Sequence, residues 1–365
     1  MGFSKVTEII RGMGQLLVTG IASSASYLWH GPMVASWDYR TQLSRDIVVH
    51  VGYYQRSSVL NLIEWHRQRH DARVWSIETL QVPAYKLQPS HVENAGMWGD
   101  KLLAIQQQCF AEGGASERPY YVTMDRVSER AANESCRAIL YFHGGAYVIG
   151  NPVTYRPPTM ELSRRSGMPV FVVGYRLAPD TQYPGQLYDA YCALQCLVEQ
   201  GYSLGDIIFA GDSAGGNLAL ALWRLTRSPI RGMALLSPRV DISSERPSWK
   251  LNAAVDIIAA YDIHKVGSPL YSLIAEEDRE NVLQDPFLAP VYGSSQGLPP
   301  TLVQAGSVEV MLDDVKEFVA RAPHQSITFR LYEGGFHVFQ YAPMTVVGSR
   351  QAWDDLEAFI RGLEA

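Results

Sequence analysis

The chain has 365 residues, of which 47% are hydrophobic and 19% are charged, and this balance excludes a disordered protein. Its formal net charge of −6 argues against a nucleic-acid-binding protein, because neutralising phosphates requires a basic face. A chain of this length can bury a large core as one α/β domain or as two smaller domains.

The first apolar stretch, residues 13–29, carries no charged side chain and follows Lys5 and Arg11. Basic residues ahead of an apolar stretch also occur in signal peptides and membrane anchors. Glycine, glutamine, threonine and serine dilute this stretch, and it falls short of the about 20 strongly apolar residues that a membrane-spanning helix needs. We therefore expect a helix that packs on the protein's own body, with membrane association as the alternative.

Residues 1–115 are expected to form a mainly helical cap region. In VLNLIEWHRQRH (59–70), apolar side chains recur at near-helical spacing, with charged side chains on the other face. Five of the eight tryptophans also lie in this region, which favours an aromatic layer over an apolar surface, although each can equally be ordinary core. Paired glycines and a proline in EGGASERP (112–119) indicate a linker at its end.

From residue 116 to residue 365, short runs of β-branched and aromatic residues alternate with helix-like segments. The runs predicted as strands are RAILYFHG (137–144), MPVFVVGYRLA (168–178), DIIFAGDS (206–213), MALLSPRV (233–240), PTLVQAGS (300–307) and ITFRLYEG (327–334). Apolar strands separated by helices predict an α/β catalytic domain with a mostly parallel sheet covered on both faces. A long helix-capable insertion at about 243–285 can fold over the same end of this sheet as the cap region.

One serine stands at a predicted strand-to-helix turn, in Gly211-Asp212-Ser213-Ala214-Gly215. A serine on such a turn holds its hydroxyl out over the end of the sheet, and flanking glycines allow the close approach. The following helix also directs its positive N-terminus toward the place where an oxyanion would form. A phosphate-binding loop is the alternative, but the stretch lacks the P-loop lysine and the G-x-G-x-x-G pattern. We therefore predict that Ser213 is a nucleophile.

A second glycine motif, FHGGAY (142–147), follows the predicted strand RAILYF. Backbone N–H groups on a glycine loop can stabilise the negative oxygen of a tetrahedral intermediate without rearranging. We predict that the oxyanion hole consists of the N–H groups of Gly144, Gly145 and Ala214. The histidine of the motif, His143, is interpreted as an anchor of the loop and not as the catalytic base.

Six motifs follow one another from residue 143 to residue 341. They are HGGAY (143–147), YRLAPD (175–180), GDSAGGN (211–217), LLSP (235–238), LPPTLVQAGSVEVMLDD (298–314) and GGFHVFQY (334–341). Their order resembles the hormone-sensitive-lipase-like family of α/β-hydrolases over roughly residues 118–363. The resemblance implies an eight-stranded α/β-hydrolase fold with a helical cap, a Ser–acid–His triad and carboxylic-ester hydrolysis without a cofactor.

The chain departs from the family pattern at two positions. The third glycine of the family's usual HGGG is Ala146 here, which keeps the backbone donor and adds a β-carbon to the loop. The family's acid is usually aspartate, and Glu309 in GSVEVMLDD stands at its place. Asp313 and Asp314 are the rival candidates, four and five residues further on, and we expect them to lie farther from the strand end.

His337 is the expected general base. It is the only histidine after the last predicted strand, where the Ser–acid–His order of this fold requires the base. In the predicted mechanism, His337 takes the proton of Ser213 while Glu309 holds the imidazole in the correct tautomer and stabilises its positive charge.

Three further features are interpreted as scaffold. We predict an Arg176–Asp189 contact that locks the loop after its strand. Asp212 is read either as an orienter of the oxyanion loop or as a solvated turn residue. Cys192 and Cys196 are expected to be buried thiols on one helix, because neither a second pair nor a nearby histidine completes a zinc site.

The leading hypothesis is therefore a carboxylesterase acting on a small to medium apolar ester, with no cofactor or metal. An amidase, a lactonase or an acyltransfer or cyclisation enzyme of a biosynthetic pathway would use the same triad, and a non-catalytic small-molecule receptor on the same fold is a remote alternative. A cytoplasmic location is expected, with secretion or membrane association of residues 13–29 left open. A homodimer is also left open.

Overall fold

The computed structural model describes residues 75–115, 120, 122–129, 135–258, 272–322, 326–342 and 348–363, with isolated positions between 35 and 43 and at 344 and 346. The apolar stretch at 13–29 and the helical pattern at 59–70 lie outside these residues. No helix in the described ranges combines the length and the hydropathy needed to cross a membrane.

The centre of the described structure is one eight-stranded sheet. Its strands are β1 Trp75–Val82, β2 Val122–Glu129, β3 Ala138–Phe142, β4 Val170–Gly174, β5 Ile207–Asp212, β6 Gly232–Leu236, β7 Thr301–Gly306 and β8 Ile327–Tyr332. Their order across the sheet is β1-β2-β4-β3-β5-β6-β7-β8. Only β2 runs antiparallel to its neighbours, and the strands from β4 to β8 are parallel. This is the expected mostly parallel α/β architecture.

Helices cover both faces of the sheet. They are α1 Pro89–Asn94, α2 Gly99–Ala115, α3 Pro152–Ser166, α4 Gly185–Glu199, α5 Ala214–Thr226, α6 Ser248–Leu251, α7 Leu312–Arg321 and α8 Ser349–Gly362. One core cluster joins α2, α4, α5 and α7 to one face, and a second joins α3 and α8 to the other. All residues of β3, β5, β6 and β7 are buried as a result, which is the expected pattern for parallel strands covered on both sides.

The sequence-based strand predictions are confirmed for β3 to β8, each of which lies within its predicted run except that β6 begins one residue before it, at Gly232. Two strands were missed. β1 lies inside the region expected to be mainly helical, and it pairs with β2 along its whole length. Part of the predicted cap region therefore contributes an edge strand to the sheet. The helix α2 also runs to Ala115, so the linker expected at 112–119 cannot begin before that residue.

The carboxyl ends of the parallel strands meet at one edge of the sheet. The segments that leave this edge after β3, β5, β7 and β8 carry the glycine motif, the serine turn and the two later motifs, and the long connection that contains the insertion leaves it after β6. In open α/β sheets ligands bind at this edge. The insertion predicted at 243–285 also reaches it, since Asn252 and Asp256 contact the loops after β7 and β8.

Candidate active site

Ser213 occupies a sharp turn between β5 and α5. Its φ of 52° and ψ of −120° lie outside the regions that residues other than glycine adopt readily. A β-carbon at Gly215 would collide with the carbonyl oxygen of Phe142, so only glycine lets the turn approach β3 this closely. The Ser213 N–H donates to the carbonyl of Leu236 at 3.0 Å, which ties the turn to the end of β6.

A buried histidine–carboxylate pair lies in the loops after β7 and β8. His337 Nδ1 lies 3.1 Å from Glu309 Oε2, and both side chains are withdrawn from solvent. Glu309 Oε1 accepts from the Ser237 hydroxyl at 2.7 Å and from the Gly306 N–H at 2.5 Å. With both of its oxygens hydrogen-bonded to donors, the carboxylate has a fixed orientation toward the imidazole.

The last residue of β6 and the residue after it join the serine turn to this pair. Leu236 accepts from the Ser213 N–H, and the hydroxyl of Ser237 contacts Glu309 and accepts from the Val338 N–H at 3.2 Å. The structure thus links the turn that carries Ser213 to the contacting pair Glu309 and His337 at the carboxyl end of the sheet.

Burial governs the ionisation of the pair. It lowers the pKa of His337 to about 4, against the nearby charges of Asp256 and Asp212, which act to raise it. Burial raises the pKa of Glu309, and the Gly306 and Ser237 donors oppose this by stabilising the carboxylate. A neutral imidazole that donates Nδ1–H to an ionised Glu309 satisfies all of these contacts, and it leaves Nε2 able to accept a proton.

The glycine motif forms a tight loop in which three consecutive residues have positive φ. The angles are 111° at Gly145, 54° at Ala146 and 64° at Tyr147. A β-carbon at Gly145 would collide with the carbonyl oxygen of Ile149, so glycine is required there for space as well as for φ. Ala146 adopts the left-handed conformation without that freedom, and its methyl group is part of the loop surface.

The N–H of Gly144 is already used inside the protein, which speaks against its predicted role as an oxyanion donor. It donates to Asp212 Oδ1 at 3.0 Å and lies 3.1 Å from the Tyr155 hydroxyl. Within the described part of the chain, the N–H groups of Gly145 and Ala146 have no acceptor. The Ala214 N–H is the first of α5 and has no acceptor within the helix. These three are the available donors.

Asp212 is buried and accepts hydrogen bonds from four donors around the glycine loop, so its alternative interpretation as a solvated turn residue is wrong. Its Oδ1 accepts from the hydroxyls of Tyr141 at 2.8 Å and Tyr341 at 3.3 Å as well as from Gly144, and its Oδ2 accepts from Tyr155 at 3.0 Å. Burial raises the pKa of Asp212 to about 7, and the Tyr155 and Gly144 donors oppose this.

Replacing Asp212 by asparagine is expected to lower kcat about tenfold to hundredfold, because the amide turns an N–H group toward donors and leaves one of them unsatisfied. Steady-state hydrolysis of a p-nitrophenyl ester measures this. Tyr341→Phe is the matched control: it removes the longest of the four contacts and should cost less than about tenfold. An unchanged kcat in the asparagine variant would show that Asp212 does not place the loop.

The scaffold predictions also have clear outcomes. Arg176 contacts both oxygens of Asp189 at 2.8 to 3.1 Å, as predicted. His143 is fully buried, contacts the Gly144 carbonyl through Nδ1 and stacks on Tyr175, which fits an anchor of the loop.

The rival acids are engaged elsewhere. Asp313 accepts from the Ser248 N–H, and Asp314 binds the Trp249 indole N–H and Arg246. Cys192 and Cys196 are free and buried in the core. Among the described residues, no group of three or more histidine, cysteine, aspartate and glutamate side chains is arranged to hold a metal ion.

Sequence reasoning missed two functional contacts, those of Ser237 and Asp256. Ser237 follows β6 in LLSP, one of the six motifs of the family resemblance, but the pattern alone indicates no contact for its hydroxyl. Asp256 lies in the insertion, where no motif marks it. It contacts the His337 N–H.

Comparison with known proteins agrees with this fold. The family model described as the alpha/beta hydrolase fold matches residues 139–341. An esterase of Acinetobacter venetianus is 34% identical over 254 residues, covering 68% of this chain and 82% of the relative. An acetyl-hydrolase of Streptomyces hygroscopicus is 32% identical, covering 64% and 78%. The crystal structure of a hormone-sensitive lipase from a metagenome library superposes with a TM-score of 0.60 at 27% identity, covering 76% of this chain and 99% of that one.

The fold and the site define an α/β-hydrolase. The chain belongs to the hormone-sensitive-lipase-like family of α/β-hydrolases, and it is a carboxylic ester hydrolase.

Proposed function

We propose that Ser213, His337 and Glu309 form the catalytic triad of this chain, and that it hydrolyses carboxylic esters of small to medium apolar molecules. The observation that carries the proposal is the buried hydrogen bond from His337 to Glu309, formed at the edge of the sheet where Ser213 stands on its strained turn. A nucleophile, a base and an orienting acid on three loops constitute the arrangement that acyl transfer requires.

The reaction then proceeds through an acyl-enzyme. His337 Nε2 takes the hydroxyl proton as Ser213 Oγ attacks the ester carbonyl, and Glu309 stabilises the imidazolium that forms. The tetrahedral intermediate then collapses: its carbonyl re-forms, the ester C–O bond breaks, and the imidazolium gives its proton to the leaving alkoxide oxygen, so that the alcohol departs and the acyl group stays on Ser213 Oγ. Water then attacks the acyl carbonyl while His337 takes its proton. The bond to Ser213 Oγ breaks, His337 returns the proton to this oxygen, and the carboxylic acid is released.

The N–H groups of Gly145, Ala146 and Ala214 are proposed to bind the oxyanion of each tetrahedral intermediate. They stand on the loop after β3 and at the start of α5, and Asp212 holds the loop through Gly144. Losing one such donor costs about 3 kcal/mol in the barrier to reaction.

We further propose a preference for short acyl groups. The methyl group of Ala146 stands where the family's usual motif has glycine, and on a loop that binds the oxyanion it would narrow the space for the acyl chain. The acetyl-hydrolase among the relatives supports the same preference. We therefore expect p-nitrophenyl acetate or butyrate to be a better substrate than the long-chain esters.

Covalent labelling tests the proposal on the full chain. A fluorophosphonate probe should add one phosphonyl group, peptide mass spectrometry should locate it on Ser213, and excess p-nitrophenyl acetate should slow the labelling. The heat-denatured chain, which should not react, is the control. Labelling at another residue, or no labelling and no ester turnover, would overturn the proposal; transfer of the acyl group to an acceptor other than water would favour the transferase alternative.

The pH dependence of kcat/KM reports the ionisation of the base. His337 must be neutral to accept the proton of Ser213. Burial lowers the pKa of His337 to about 4, below the ordinary histidine pKa of about 6.5. Activity should therefore be lost by protonation of His337 only at a pH below 6.5. The midpoint of the acid limb is therefore expected below pH 6.5, measured with a non-ionising ester. A midpoint above pH 7 would show instead that protonation of Glu309, whose pKa burial raises, limits the reaction.

A further inference from the structure

The first part of the insertion after β6 is hydrogen-bonded to the loop that carries Glu309. Ser248 Oγ donates to the Val310 carbonyl at 2.6 Å, and Asn252 Nδ2 donates to the Glu309 carbonyl at 2.7 Å. Trp249 packs in one apolar cluster with Val310. This part of the insertion is thus bound to the backbone of the acid and of the residue that follows it.

Asp256 binds both the loop that carries Glu309 and the loop that carries His337. Its Oδ2 accepts the Val310 N–H at 2.7 Å, and its Oδ1 accepts the His337 N–H at 2.7 Å. Oδ1 also accepts the N–H of its neighbour Ile257 at 2.7 Å. The side chain is only 3% exposed, so these contacts replace its hydration.

We propose that Asp256 is a positioning residue of the esterase reaction, which uses one carboxylate to fix the backbone of His337 and the backbone beside Glu309 at a set distance from each other. The proposal rests on the proposed function, because the role of Asp256 is defined by the His337–Glu309 pair.

Only a carboxylate suits this position. Its two oxygens face N–H donors on two separate loops, and an amide would turn an N–H group toward one of them. The two loops also meet nearer the strand ends, where the Ser307 N–H donates to the Tyr332 carbonyl at 2.9 Å and the Val308 N–H to the Gly335 carbonyl at 3.1 Å. Asp256 adds the link at the pair itself, between Val310, next to the acid, and the backbone of His337. A misplacement of about 1 Å in such a pair can cost a hundredfold in rate.

The charge of Asp256 also acts on the base. Four charged or titratable groups act on His337. Glu309 does so through its hydrogen bond, Asp256 and Asp212 carry charges that raise the pKa of His337, and Arg239 carries a charge that lowers it. Burial raises the pKa of Asp256 itself to about 6. The insertion thereby places a second carboxylate beside the imidazolium of the transition state.

Asp256→Asn in the full chain tests the proposal, and Asp313→Asn is the matched control. Asp313 accepts from the Ser248 N–H and so ties the same insertion to α7, but it has no contact with the loop of His337 among the described residues. We expect Asp256→Asn to lower kcat about tenfold to hundredfold with KM within about twofold, and to move the acid limb of kcat/KM to lower pH. Asp313→Asn should lower the melting temperature and change neither kcat nor the limb.

The outcomes separate the two proposals. Wild-type protein that turns over no ester refutes the proposed function, whereas wild-type activity with an unchanged kcat and pH profile in Asp256→Asn refutes only the positioning role. Asp256→Ser, which keeps one acceptor without charge, is the second variant and should show the same loss. If neither variant folds by circular dichroism while Asp313→Asn does, Asp256 serves stability alone and the proposal fails.

Discussion

Replacing Ser213 by alanine should lower kcat for p-nitrophenyl acetate by a factor of about 10⁴ to 10⁶. The variant loses the oxygen that becomes acylated, and no described side chain on the turn can take its place, since Ala214 and Gly215 follow it and Asp212 is held by four donors. Alanine carries the same β-carbon at the positive φ, so the turn and the melting temperature should change little.

The residual rate and the fold are measured on the same preparation, by ester hydrolysis and by circular dichroism. Ser228→Ala is the control, because Ser228 is a buried serine in the loop after α5, away from the carboxyl edge of the sheet. Its kcat should match that of the unaltered chain. A Ser213→Ala protein that keeps its turnover would place the nucleophile elsewhere.

Replacing Glu309 by glutamine should lower kcat by about 10⁴. Glutamine preserves the size of the side chain, but its amide must turn NH₂ either toward His337 or toward the Ser237 hydroxyl and the Gly306 N–H. An NH₂ group facing His337 Nδ1 favours the tautomer with the proton on Nε2, which cannot accept the proton of Ser213. The loss should appear in kcat, with little change in KM.

Glu309→Asp and Asp313→Asn complete this test. Aspartate keeps the charge one methylene short of His337, so it should recover part of the activity lost with glutamine. Asp313→Asn should retain full activity, because Asp313 binds the Ser248 N–H and not the imidazole. Loss of turnover in Asp313→Asn with retention in Glu309→Gln would reverse the assignment of the acid.

The parts of this structure that could be predicted from the sequence are those with local signals. The strands from β3 to β7 are continuous apolar runs with a glycine or proline nearby, because both faces of the sheet are covered there, whereas the edge strand β8 is marked by β-branched and aromatic residues. Ser213 is marked by its glycines, and His337 and Glu309 by motif order. The geometry then places the last two in contact.

The missed elements have weaker local signals. β1 is WSIETLQV, an edge strand whose side chains are mostly exposed, so no apolar run marks it. The bridge made by Asp256 joins it to Val310 and His337, which lie 54 and 81 positions further along the chain. Such contacts exist only once the sheet is assembled, and the sequence pattern around either partner carries no trace of them.

The order of the strands has a consequence for how such an enzyme can evolve. The nucleophile follows β5 in the middle of the sheet, whereas the base follows the edge strand β8, about 14 Å away at the usual strand spacing. The core therefore sets the position of Ser213, while loop length and loop contacts set that of His337. Mutations in those loops can abolish or restore turnover while the sheet keeps its stability, so catalysis and folding can be selected separately.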